Sequence, residues 1–210
     1  TSCSGSSDGS IALTASGGTS PYAYAWSGPQ GFTATTASIS GLAAGQYHLV
    51  LTDDNGCSAL SSYLLNAPAA LNAFSISNKD HGGYDLSCAG SADGQITTTV
   101  SGGTPPYTYL WTGPGGFTAS TADITGLAAG TYHLTVTDAN GCSVTTGNTL
   151  VAPPALSAAA SLVAFASGSN ISCSGANDGS MTITPSGGTS PIAVAWSGPS
   201  GFTSNAWQIT

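Results

Sequence analysis

The sequence predicts an all-β chain built as tandem two-sheet sandwiches, and three observations predict it. Landmarks recur at a fixed step: Trp26, Trp111 and Trp196 lie 85 residues apart, as do Cys3, Cys88 and Cys173, and Cys57 and Cys142. A constant offset of this kind is the signature of a tandem array. Within one such unit, roughly seven or eight short alternating or β-branched stretches are separated by Gly, Pro, Asn and Asp about every 8–12 residues. No stretch shows helical periodicity.

The recurring core is Ser101–Phe117, SGGTPPYTYLWTGPGGF, with copies at Ser16–Phe32 and Ser186–Phe202. Ala67-Pro68 and Ala152-Pro153 are matching punctuation. They divide the chain into residues 1–67, a unit lacking its first strand; 68–152, a complete unit; and 153–210, a unit truncated at its C-terminal side. In the complete unit, Ala70–Ile76 is expected as a first strand, resumed by Tyr84–Cys88 after a polar loop. Ala92-Asp93-Gly94 reads as a turn, since Asp caps its own backbone and Gly accepts positive φ. Gln95–Val100 is a β-branched strand with Ile96 inward. Tyr107, Tyr109 and Trp111 share one face of the next strand, as do Ile192, Val194 and Trp196 in the third unit, which marks that face as core. Phe117 and Ile124 mark two short strands. Tyr132, Leu134 and Val136 alternate inward, Asn140-Gly141 signals a hairpin, and Cys142–Val151 completes the unit.

Two features narrow the sandwich to the immunoglobulin-like kind. Trp26, Trp111 and Trp196 sit on the strand whose Trp packs between the sheets. Leu-x-x-Gly-x-Tyr, ending at Tyr47 and Tyr132, has the form of a tyrosine corner, whose hydroxyl bonds a backbone group just upstream.

Composition narrows the function. Charged residues are 5% of the chain, against about 25% in ordinary domains. The single Lys79 is the only Lys or Arg, and the net charge is −8. Nucleic-acid binding needs cationic side chains to displace counterions, so it is excluded as a partner class. Docking on an anionic membrane surface is disfavoured for the same reason, and no apolar run approaches a membrane span, so direct membrane insertion is not expected. No signal-peptide pattern is present, and both ends fall inside a repeat, so the chain reads as a window on a longer protein. Cysteines locked to the repeat favour an oxidising, extracellular setting.

Two pairing schemes suit those cysteines: within a unit, Cys3–Cys57 and Cys88–Cys142, or between units, Cys57–Cys88 and Cys142–Cys173. The last strand, about ten residues long, would carry the chain roughly 33 Å from Cys57 before the next unit begins. Disulfide Cα atoms must lie within about 7 Å, so the within-unit scheme is expected, worth about 4 kcal/mol in loop entropy. Cys173 then pairs outside residues 1–210. Zinc is not expected, because no Cys/His ligand spacing exists.

Catalytic residues and cofactors are not expected. His48 and His133 recur on the outward face, without the nucleophile and carboxylate of a triad. Glu is absent and the Asp residues recur in turns, unlike a glycosidase pair. Asp8, Asp53, Asp93 and Asp138 flank the cysteines and are the calcium candidates, since paired Asp turns could supply oxygens; ordinary capping of Gly turns is the favoured reading. Trp207, unique to the third unit, could stack on a sugar, but its place on the side of Ile209 favours core or interface filling. The loops Asn78–Gly83 and Val163–Gly168 differ almost wholly and read as tolerated variation rather than recognition tips.

Taken together, Cys-x-Gly-x-x-Asp-Gly-x-Ile, Ser-Gly-Gly-Thr-x-Pro-Tyr-x-Tyr-x-Trp, Gly-Leu-x-Ala-Gly-x-Tyr and Thr-Asp-x-Asn-Gly-Cys closely resemble the SprB repeat of giant surface adhesins in gliding Bacteroidota. Ile192, Val194 and Met181 depart from it. The resemblance implies type IX export, a filamentous cell-surface location, and adhesion or gliding motility; it carries no ligand site. The expected function is a structural stalk, with neighbouring repeats as partners and surface polysaccharide or other filament subunits beyond them. The alternatives are a glycan-binding module using variable loops, and a spacer of a secreted enzyme.

Overall fold

The computed structural model describes residues 1–165 and 167–210, so Ala166, in the variable loop of the third unit, lies outside the described residues. The first unit contributes β1 (Gly9–Ile11), β2 (Ala23–Ser27), β3 (Thr33–Ala34), β4 (Ile39–Leu42), β5 (Gly45–Thr52) and β6 (Ser58–Leu65). The second contributes β7 (Asn72–Ser77), β8 (Gly94–Ser101), β9 (Thr108–Thr112), β10 (Thr118–Ala119), β11 (Ile124–Leu127), β12 (Gly130–Thr137) and β13 (Ser143–Leu150). The third adds β14 (Ser157–Leu162), β15 (Met181–Ser186), β16 (Trp196–Ser197), β17 (Thr203–Ser204) and β18 (Gln208–Ile209). The remaining regular structure is a single 3₁₀ turn at Pro29–Gly31, repeated at Pro114–Gly116 and Pro199–Gly201.

The second unit shows the complete arrangement. One antiparallel sheet runs β11-β8-β7 and the other β10-β9-β12-β13. Alternation drives them together: Ile96 on β8 and Ile124 and Leu127 on β11 face Trp111 on β9, Tyr132, Leu134 and Val136 on β12, and Leu150 on β13. This is an immunoglobulin-like β-sandwich. Trp111 is fully buried, and its indole N–H donates to Thr121 O at 3.1 Å, so the largest core side chain leaves no orphaned donor. Trp26 repeats this with Thr36 O at 2.9 Å and Trp196 with Ala206 O at 2.7 Å. Tyr132 Oη donates to Ala128 O at 3.1 Å and Tyr47 Oη to Ala43 O at 3.0 Å, forming two tyrosine corners. In the first unit the same inward residues, Ile11, Trp26, Ile39, Leu42, Tyr47 and Leu49, make the core.

The expected strand at Tyr84–Cys88 is a loop, with only an isolated bridge between His81 and Tyr84. Its backbone groups are engaged elsewhere. Asp85 N–H donates to Val151 O at 2.9 Å, and Cys88 O accepts the Ser91 N–H at 3.2 Å.

Candidate functional site at the joint between repeats

The cysteines of the first two units and the carboxylates that cap their loops sit at the two ends of each sandwich. At one end, Asp138 shapes the hairpin tip between β12 and β13. Its Oδ1 accepts the N–H groups of Asn140 and Cys142, both at 2.9 Å, and its Oδ2 accepts Thr104 N–H at 2.9 Å. Asp53 does the same in the first unit with Asn55, Cys57 and Thr19, at 3.0, 2.8 and 3.0 Å. Asn140 Nδ2 reaches Thr104 Oγ1 at 3.0 Å, and Asn55 Nδ2 reaches Thr19 Oγ1 at 2.9 Å, so each tip is fastened to the turn beside it.

At the other end, a second clasp shapes the cysteine loop. Ser91 Oγ donates to Asp93 Oδ1 at 2.8 Å and accepts Cys88 N–H at 3.3 Å, while Ser87 N–H donates to Asp93 Oδ1 at 3.2 Å. Ser2, Cys3, Ser6 and Asp8 repeat this pattern, with Ser6 Oγ on Asp8 Oδ1 at 2.8 Å and Ser2 N–H on it at 3.0 Å. In the third unit Ser172 N–H donates to Asp178 Oδ1 at 3.0 Å.

These donors set the carboxylate acidities. Hydrogen bonds from Ser2 and Ser6 hold Asp8 well below the usual range, and those from Ser87 and Ser91 lower Asp93 to about 2. Asp53 is lowered by the N–H groups of Thr19 and Cys57. For Asp138, burial pulls upward, but the N–H groups of Thr104, Cys142 and Asn140 outweigh it. At each calcium candidate, Oδ1 is thus taken by N–H and O–H donors, the polarity opposite to a cation's ligand shell. Among the described residues no three His, Cys, Asp or Glu side chains group as metal ligands.

The cysteines correct the within-unit expectation. Cys3 is bonded to Cys142, with Cα atoms 5.8 Å apart, while Cys57, Cys88 and Cys173 are exposed thiols. Cys3–Cys57 and Cys88–Cys142 do not form, because the two cysteines of a unit occupy opposite ends of one sandwich. Cys88 lies in the loop between Asp85, bonded to Val151, and Gly94, which packs on Leu127 and Leu150. Cys142 precedes β13, whose eight residues separate it from that end by roughly 26 Å at about 3.3 Å each. The loop end of one repeat instead meets the hairpin end of the next. Across the joint, Asn140 Nδ2 donates to Ser2 O at 2.8 Å beside the disulfide. On its two sides, Thr1 N donates to Asn66 O at 2.9 Å within the first unit, and Gly103 N–H grips Ala69 O, at the start of the second, at 2.8 Å. Gly188 N–H grips Pro154 O in the same way at the second joint, also at 2.8 Å.

The sequence missed one buried pair. Asp85, 3% exposed, accepts Val151 N–H at 2.8 Å and lies 3.5 Å from Lys79 Nζ. Burial pushes its carboxyl up, but hydrogen bonding from Ser77 and Val151 and the Lys79 charge hold it below the usual value. The available signal was that the only Lys stands six residues from an Asp whose counterpart in the third unit is Asn170.

His133 is exposed on β12, and His48 is an exposed strand residue whose Nδ1 lies 2.9 Å from Ser62 Oγ. Trp207, expected as filling, is 45% exposed and lines a 350 Å³ cleft with Ile192 and Val194. The counterparts of those two, Tyr107 and Tyr109, pack on the core of the second unit, so the cleft belongs to the inner sandwich face.

The SprB repeat model matches residues 1–31, 84–116 and 166–201. No curated protein matches the chain. Among solved structures, the amphioxus IgVJ-C2 molecule aligns at 16% identity over 69% of this chain and 97% of its own, with a TM-score of 0.34.

Proposed function

We propose, from the match of the SprB repeat model to three segments of this chain, that it is a structural stalk of a large secreted cell-surface adhesin or extracellular filament, serving adhesion or gliding. The observation that carries this reading is the joint. Cys3–Cys142 and Asn140 to Ser2 fasten the first two sandwiches end to end, and Gly103 to Ala69 anchors the linker on the second. A short linker, β6 to β7, with Pro68 restricting its predecessor to extended geometry, leaves little room to swivel. The carboxylates Asp8, Asp53, Asp93 and Asp138 are engaged in building these ends. Neighbouring repeats are the immediate partners, and a surface polysaccharide or another filament subunit is the partner at a distance.

Imaging of the intact array tests the reading. The expected result is straight rows with a repeat pitch of roughly 30–40 Å, eight-residue strands of about 26 Å plus the turns at both ends. Randomly kinked strings, or tight saturable binding of a single repeat to a glycan panel, would replace the stalk with a binding module.

A further inference from the structure

We propose that Cys3–Cys142 is one rung of a series in which the loop cysteine of each repeat bonds to the hairpin-tip cysteine of the repeat that follows. Cys88 then pairs with a cysteine 139 residues C-terminal to it, and Cys57 with one 139 residues N-terminal to it, the separation of the bonded pair. The proposal rests on the chain being part of a longer array, but not on what that array does.

Three observations carry it. Both halves of the bonded joint are rebuilt where the bond is not made. The Ser91–Asp93 clasp presents Cys88 as Ser6–Asp8 presents Cys3, and the Asp53 clasp presents Cys57 as Asp138 presents Cys142. The receiving surface is rebuilt as well. Cys88 and Ser87 line a 270 Å³ cleft with Gly188, Thr189 and Pro191 of the third repeat. Thr189 is the counterpart of Thr104, the residue that fastens the bonded hairpin tip through Asn140. Finally, all three thiols are exposed, open to an oxidant. A pairing inside one repeat is barred at every repeat by the same strand length that bars Cys88–Cys142.

Each rung forms by oxidation of two thiols, which lose two protons and two electrons as the S–S bond closes. A protein or small-molecule disulfide of the export compartment accepts them and is reduced to two thiols.

The test uses the array from the cell surface, alkylated and digested without reduction. The expected product is the Cys88 peptide joined to an Asn-Gly-Cys peptide of the following repeat. A second arm extends the 210-residue chain with a copy of residues 126–152, which completes the third repeat and supplies its hairpin tip. Here Cys88 should lose its reactivity to iodoacetamide and bond the grafted copy of Cys142, while Cys3–Cys142 persists. Cys88 left alkylatable in the surface array overturns the proposal. So does its bonding to Cys57, Cys142 or Cys173, or a bond between two chains in a mixture of isotopically light and heavy protein. A flexible array with these rungs intact would sink the stalk and spare the rungs.

Discussion

Asp85 holds Val151 by both of its backbone groups: its N–H donates to the carbonyl at 2.9 Å and its Oδ2 accepts the N–H at 2.8 Å. This two-point grip ties the loop end of the second repeat to the strand that leaves it. Removing a buried charge partner strands the groups it served. Asp85→Ala should therefore destabilise the second repeat by about 2–3 kcal/mol in urea unfolding, while Lys79→Ala, which removes only an exposed partner, should cost less than about 1 kcal/mol. Equal losses for the two variants would show that the ion pair, not the backbone grip, is what matters.

Acid should weaken the fold. Asp8, Asp53, Asp85, Asp93, Asp138 and Asp178 all have folded-state values below the ordinary carboxylate value. A depressed folded value means the unfolded chain binds more protons, so the stabilisation is present above the unfolded value, near pH 4, and is lost as pH falls through the folded one. Urea midpoints should be flat from neutrality to about pH 5 and drop steadily towards pH 2. A midpoint that rises on acidification would mean that relief of the −8 net charge outweighs the loss of the clasps.

Gly113 lies flat against the tyrosine corner, where an added Cβ would come 2.5 Å from Tyr132 Cδ1. Gly113→Ala should cost about 1–3 kcal/mol through overpacking. The 3₁₀ turn next to it supplies the contrast. Gly115 has φ +64° with nothing near its Cβ position, and its counterparts are Gln30 and Ser200, at φ 55° and 57°. Gly115→Gln should thus be tolerated, with a thermal midpoint shift well below that of Gly113→Ala. If both variants melted alike, backbone strain rather than the ring contact would govern this corner.

Calcium should not stabilise the repeats, because Oδ1 of Asp8, Asp53, Asp93 and Asp138 is occupied by hydrogen-bond donors. EDTA and millimolar calcium should leave the melting temperature within about 1 °C of each other. A calcium-dependent rise of several degrees, on the order of 1 kcal/mol for a domain this size, would require the clasps to open around an ion.

How much of this was legible in the sequence depended on whether the cause was local. The inward alternation of Tyr132, Leu134 and Val136, the Asn140-Gly141 turn and the corner at Tyr47 follow from spacing along one strand, and the structure has them. Tyr84–Cys88 has residues that suit a strand, but Asp85 gives its N–H to Val151 O and accepts Val151 N–H on its side chain, from a partner 66 residues away. The cysteine pairing failed on direction. The last strand has eight residues rather than about ten, and the pairing turns on which end of the sandwich each cysteine occupies. Counting strand directions would have shown it, since β8 runs away from the Cys88 loop and β12 runs towards the Cys142 tip. Lys79–Asp85 was hidden because neither residue repeats in the third unit, and the repeat was the guide.

Covalent linkage of Cys3 to Cys142 also changes what a pull along the chain can reach. Tension entering at Thr1 passes within two residues to the disulfide, crosses to Cys142, and leaves through β13. The backbone enclosed between the two cysteines, spanning 139 positions, is outside the load path. At about 3.5 Å per extended residue, some 480 Å of contour is locked away while the bond holds. The first repeat and most of the second cannot be drawn out by traction, however often their strands open and reclose, and reduction of a single bond would release that slack at once.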